Sequence, residues 1–178
     1  MKPSTACSLS CLALALSFLP PCFAAERGPS TPEERQRAVS IARRLEADPL
    51  NSTLRAERKW ALEWLIQVPD IHVKMCTVFL GPVLDSKKNF ASEIMFQMML
   101  SQAAFTIEHP EKASDDLAQY AAGVEGSLKA YESILKSKPK ARWPFLDELI
   151  QKRDSGGLPG YVKDQMEKCN AAAKVTTR

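Results

Sequence analysis

Residues 114–139 read SDDLAQYAAGVEGSLKAYESILKSKP, and this stretch decides the fold class. Leu117, Tyr120, Ala121, Val124, Leu128, Tyr131 and Leu135 recur three and four residues apart, the spacing that gathers apolar side chains on one side of an α-helix. Ser114 is placed to cap this helix, Asp115 and Asp116 meet the positive end of its dipole, and Pro139 ends it. Gly123 and Gly126 interrupt the stripe. They mark either a face of close helix–helix contact or a turn that splits the segment into a hairpin.

Upstream, a long apolar helix is expected from about Ser86 to Glu108, with Phe90, Ile94, Met98 and Phe105 as its stripe and His109-Pro110 as its stop. Its apolar residues extend to neighbouring faces, which suits a central helix. Thr31-Pro32-Glu33-Glu34 carries a capping box, followed by Ala38, Ile41, Ala42 and Leu45 on one face as far as Asp48-Pro49. A second helix runs from about Ser52 to Gln67, with Leu54, Trp60, Ala61, Trp64 and Leu65 inward. Residues 71–80, IHVKMCTVFL, alternate like a strand but also share a helix face; with no other segment to pair with, the helix is preferred. Downstream, Phe145, Leu146, Leu149 and Ile150 mark a short helix, and Pro159 opens a last one carrying Val162, Met166 and Cys169. The reading is an all-α domain over residues 31–169: six or seven helices, arranged as antiparallel hairpins in one bundle or a short superhelical array. A frayed tail follows at 170–178.

The 178 residues are 45% apolar and 25% charged, which suits one globular domain and excludes a fibrous or wholly disordered chain. Residues 1–24 have the form of a secretory signal: Lys2, an apolar core from Cys11 to Leu19, Pro20-Pro21, then Cys22 and Ala24 at the cleavage positions. That core is too short to span a bilayer, so no transmembrane anchor is expected, and residues 25–30 form a short polar lead. Cleavage near Ala24 sends the protein to the periplasm or outside the cell. It also removes Cys7, Cys11 and Cys22 and leaves Cys76 and Cys169, which in an oxidising compartment form one disulfide rather than two separate thiols. Loss of Lys2 takes the 24 basic residues to 23 against 21 acidic ones, so no nucleic-acid partner is expected.

Residues 127–139, SLKAYESILKSKP, resemble the second helix of a tetratricopeptide repeat, with the small residue at Ser127, the aromatic at Tyr131 and the terminal proline at Pro139. Ala47-Asp48-Pro49-Leu50-Asn51 resembles the boundary between two such repeats, whereas the first-helix positions are missing before residue 127. The resemblance implies helical hairpins and protein binding. The chain as a whole resembles small secreted bacterial helical proteins that carry no assigned activity.

Reactive constellations are scarce. His72 and His109 are the two histidines, and a disulfide-bonded Cys76 cannot serve His72 as a nucleophile. Ser133 to Lys136 fits an S-x-x-K pattern without its companion motifs. No phosphate loop, zinc signature or haem attachment sequence occurs, so no catalytic residue and no cofactor is assigned. Met95, Met98 and Met99, with His72, form a candidate soft-metal set suited to Cu(I), set against ordinary core filling by methionine. Lys136, Lys138, Lys140 and Arg142 beside Trp143 form a candidate patch for an anionic partner, set against plain neutralisation of a helix end. The leading expectation is an exported module that binds another protein in the envelope or extracellular space. The alternatives are a soft-metal or small-ligand carrier and, third, a hydrolase. Intact mass of protein recovered from the exported fraction should show a chain beginning at Ala25 with no thiol reactive before reduction; a chain retaining Met1, or two free thiols, contradicts this.

Overall fold

A computed structural model describes residues 27–176, and the cleavage signal expected at 1–24 lies outside them. Six α-helices form among the described residues, and no strand. Helix α1 spans Pro32–Ala47 and starts on the expected capping box: Thr31 Oγ1 accepts from the Glu34 amide at 3.2 Å, and the Glu34 carboxylate accepts from the Thr31 amide at 3.1 Å. A 3-10 turn over Ser52–Leu54 leads into α2, Arg55–Gln67. Pairing of α1 with α2 is fixed at one end by Asp70. Its carboxylate accepts from the Ser30 amide and hydroxyl, both at 2.8 Å, and from Arg35 at 2.7 Å. Burial works to raise the Asp70 pKa, but these donors outweigh it and hold the carboxyl below its ordinary range. A depressed carboxyl pKa places this clasp's stabilisation above the ordinary range and removes it as pH falls through the folded-state value.

Residues 71–80 are neither helix nor strand, a correction to the sequence reading. Residues 71–76 run extended, and 3-10 turns follow at Thr77–Phe79 and Gly81–Val83. Pro69 prevents a helix from continuing out of α2. The strand-like alternation holds only at its start, with Ile71 buried and His72 exposed, and fails at Met75, which is exposed; the backbone partner here is a side chain rather than another strand. Gln102 Oε1 accepts from the Lys74 amide at 3.1 Å, and Gln102 Nε2 donates to the Lys74 carbonyl at 3.0 Å. One amide side chain thus supplies the two bonds a neighbouring strand would have made.

The central helix α3 covers Ala91–Glu108 and begins five residues after the expected Ser86. Asn89 and Phe90 just before it are left-handed, with φ of 49° and 59°, a conformation unfavourable for side chains of this size. Trp143 Nε1 donates to the Asn89 carbonyl and Asn89 Nδ2 donates to the Arg142 carbonyl, each at 3.1 Å, which holds the strained pair in place. Helix α4, Asp116–Ser137, is capped by Asp115, whose carboxylate accepts from the Ala118 amide at 3.0 Å; the expected cap was its neighbour Ser114. Helices α5, Pro144–Asp154, and α6, Leu158–Thr176, follow, and α6 continues through the region read as a frayed tail.

α3 and α4 form a tight antiparallel hairpin joined by a 3-10 turn at Pro110–Lys112. On one flank of α3, α1, the 3-10 turn and α2 pack Ile41, Leu45, Leu54 and Ala61 against Leu100 and Ala104. On the other, Ile94 and Met98 join Val124, Leu128 and Tyr131 of α4, with Leu146, Leu149 and Val162 beyond. α3 is covered on both sides, which explains why its apolar residues are not confined to one face.

Helix α4 is continuous through both glycines, so close contact, not a turn, is their role. A Cβ at Gly123 would stand 2.9 Å from the Met98 carbonyl oxygen, and one at Gly126 would overlap Ser101 Oγ and lie 2.5 Å from Ser101 Cβ. Replacing Gly126 with Ala should destabilise the fold by about 1–2 kcal/mol in urea unfolding, overpacking outweighing the gain in helix propensity. Gly160→Ala in α6, where nothing lies within 4 Å, should be neutral or slightly stabilising. Equal effects at the two positions would refute the close-contact role.

Candidate functional site

Helix α2 buries Ala61 and Trp64 against the body of the protein and turns Leu62 and Ile66 outward. Leu62 is 42% exposed and Ile66 76% exposed, one helical turn apart. Beside Leu62, α3 presents Met95, Phe96 and Met99, and these four line an apolar groove of about 340 Å³, with Ile66 outside the lining. One end of the groove is charged, with Arg58 and Glu93 facing each other at 3.8 Å. Arg58 also donates to the Pro49 carbonyl, which fixes its side chain against the loop between α1 and α2. The Trp60–Trp64 stack at 5.8 Å, with Arg37 4.0 Å over the Trp60 ring, braces α2 from behind.

The candidate soft-metal set is not assembled. Met98 is fully buried in the α3–α4 core, whereas Met95 and Met99 are half-buried in the groove wall. His72 stands on the extended connector and lines a different cavity, and Cys76 is bonded to Cys169.

The candidate anionic-partner patch is divided as well. Arg142 is paired with Asp147 at 3.1 Å. Trp143 is half-buried and tied down through its ring nitrogen, and its amide donates to Tyr131 Oη at 2.8 Å. Tyr131 in turn donates to Asp147 at 2.9 Å, and burial, with help from that carboxylate, pushes its phenol up to about 12. Trp143 is thus a structural residue rather than an exposed recognition aromatic. Lys138 and Lys140 remain exposed. Lys136 faces a separate polar groove of about 430 Å³ between α1 and α4, shared with Arg43, Lys129 and Ser133. The Ser133 hydroxyl donates to the Ala47 carbonyl, so the S-x-x-K pair holds no hydroxyl-to-amine contact for activating a nucleophile.

A buried polar chain escaped the sequence reading. Glu46, 8% exposed, accepts from Arg43 at 2.7 Å and from Ser101 at 3.1 Å; Ser101 accepts from Gln97 at 2.8 Å, and Gln97 donates to the Ala42 carbonyl at 3.1 Å. The absence of a side chain at Gly126 is what admits Ser101 to this position. No motif announces such a network, because its members come from two helices, α1 and α3, far apart in sequence.

Cys76 and Cys169 are bonded, with Cα atoms 6.2 Å apart. The bond ties the end of the extended connector to α6, and the Tyr161 hydroxyl adds a second tie by donating to the Phe79 carbonyl at 2.8 Å. Burial pushes the Tyr161 phenol up to about 12. The loop closed by the disulfide spans 93 positions, so Cys169→Ser should lower the unfolding free energy by about 2–5 kcal/mol. An unchanged midpoint with and without reductant would show the bond to be thermodynamically idle. No protein-family model, no curated protein and no solved structure matches the chain.

Proposed function

We propose that the protein is an exported binding module that holds an amphipathic helix of a partner protein in the groove between α2 and α3. The observation that carries this reading is the exposure of Leu62 beside the half-buried Met95 and Met99, with exposed Ile66 one helical turn further along α2. Apolar side chains gathered along a groove lose free energy to water until something covers them. Two walls, one from α2 and one from α3, suit a helix whose anchors recur at three- and four-residue spacing. Methionine suits such a groove because its flexible, polarisable chain adapts to differently shaped anchors. The Arg58–Glu93 end offers polar contacts that would set the partner's direction.

A disulfide between connector and α6 is in keeping with an oxidising compartment. The resemblance of residues 127–139 to a tetratricopeptide helix points toward protein binding as well. A Cu(I) carrier is the weaker reading, since only Met95 and Met99 of its thioethers reach the groove.

The test is photocrosslinking in the native exported fraction from a reactive residue placed at position 66. A discrete adduct is expected, and it should vanish in Leu62→Glu and Met99→Glu while the melting temperature of Leu62→Glu stays within about 2 °C, as for other surface changes. No adduct from position 66, or an adduct that survives both substitutions, would overturn the assignment.

A further inference from the structure

The fold takes Arg142 and Trp143 out of the basic patch read from the sequence, and it brings two other lysines to what remains. Asn89 Nδ2 donates to the Arg142 carbonyl and Trp143 Nε1 donates to the Asn89 carbonyl, each at 3.1 Å. Residues 85–90, DSKKNF, and 138–143, KPKARW, are thereby fastened side by side at one end of the bundle. The two segments hold five basic residues and one acid, whereas the whole chain has 24 basic residues against 21 acidic ones. Everything outside them is thus 19 against 20, and the positive excess of the protein sits here.

Lys87, Lys88, Lys138 and Lys140 are exposed, and none has an ion-pair partner among the described residues. Arg142 is paired with Asp147 and adds no free charge. The exposed acids on or next to these segments are Asp85 and Glu148, so free lysines outnumber them two to one. Each lysine pair rides on a hydrogen-bonded turn: the Ala91 amide donates to the Lys88 carbonyl at 3.1 Å, and the Ala141 amide to the Lys138 carbonyl at 2.9 Å. The left-handed Asn89 and Phe90 stand at the junction, and strain of this kind persists only where the surroundings over-determine it. The backbone beneath the four charges is therefore set before any partner arrives.

We propose that this end of the bundle docks on the surface of an anionic lipid bilayer. Four lysines on two adjoining turns reach the cluster size that holds a protein to acidic headgroups. Their ammonium groups are point charges on flexible stems, which suits a fluid array of phosphates better than one fixed recognition geometry. Single-stranded nucleic acid is poorly served, because Trp143 is half-buried with its ring nitrogen committed to Asn89 and offers no free stacking platform. No helix among the described residues is long and apolar enough to cross a membrane, so the contact is peripheral. This surface is separate from the α2–α3 groove, and the proposal does not rest on that reading.

The experiment is co-sedimentation of the chain recovered from the exported fraction with vesicles of phosphatidylcholine, pure or one-third phosphatidylglycerol. Binding is expected to the anionic vesicles alone at about 0.1 M salt and should be lost at about 1 M, where screening shortens the reach of the charges. Lys88→Gln with Lys140→Gln should weaken it about twenty-five-fold, each lysine near an anionic surface counting for about fivefold. Lys112→Gln with Lys168→Gln removes the same charge elsewhere, from the α3–α4 turn and from beside the disulfide, and should leave binding unchanged. No binding to the anionic vesicles, equal binding to pure phosphatidylcholine, or equal losses in the two double variants would overturn the proposal. So would binding to a single-stranded DNA oligonucleotide in preference to the vesicles.

Discussion

The distance between α3 and α4 is set by two missing side chains. Gly123 and Gly126 let the backbone of α4 come so close to α3 that a methyl group at either position would strike Met98, Gln102 or Ser101. Because α3 is the wall against which both halves of the core are built, this one approach governs the rest. It brings Ser127 Oγ within 3.1 Å of the Ile94 carbonyl, and it lets Ser101 reach Glu46 on α1. A buried carboxylate is tolerated there because Arg43, Ser101 and, at 3.9 Å, Lys129 surround it. The network fixes the register of α1 against α3 through direction-dependent bonds, which apolar packing alone would do less sharply.

The segment from 68 to 90 has little regular hydrogen bonding of its own, and the helices supply what it lacks. Gln102 clamps Lys74 on both sides of its peptide unit, Tyr161 takes the Phe79 carbonyl, and Trp143 secures the left-handed pair ahead of α3. Phe79 stacks on Tyr120 at 4.2 Å, and the Phe145 ring sits against Gly81, whose φ of +50° suits a residue without Cβ. The disulfide closes this set of ties by fastening Cys76 to α6. Each contact joins residues far apart in sequence, so the connector is ordered by the completed fold rather than by its own preferences.

The surface groove and the polar cavity follow from the same division of labour. α2 is amphipathic enough to dock, yet its apolar residues spread beyond the docked face, leaving Leu62 and Ile66 outside. α3 is apolar all round, and the faces that α1 and α4 do not cover carry Met95 and Met99. A groove arises where an over-apolar central helix meets an over-apolar neighbour. The polar cavity beside the connector arises differently, where an extended segment crosses the ends of two helices and side chains must stand in for backbone partners.

Helix number, the capping box at Thr31, the proline stops and the all-α class were legible in the sequence, because each rests on interactions within a few residues. The pairing of Cys76 with Cys169 followed from counting the cysteines that the expected signal cleavage would leave. The α-helix preferred over 71–80 did not form, since a side-chain amide stands in there for a strand partner and no local signal says so. The late start of α3 was hidden too, because the Asn89–Phe90 conformation is held by Trp143, 53 to 54 positions away. Met95, Met98 and Met99 look equivalent as letters. Only the placement of α2 and α4 around α3 puts Met98 in the core and the other two in a groove. Local hydrogen bonding and helical period were therefore set by the sequence itself, while which faces are covered, and by what, was decided by tertiary packing, since burial is a property of the neighbours a residue acquires.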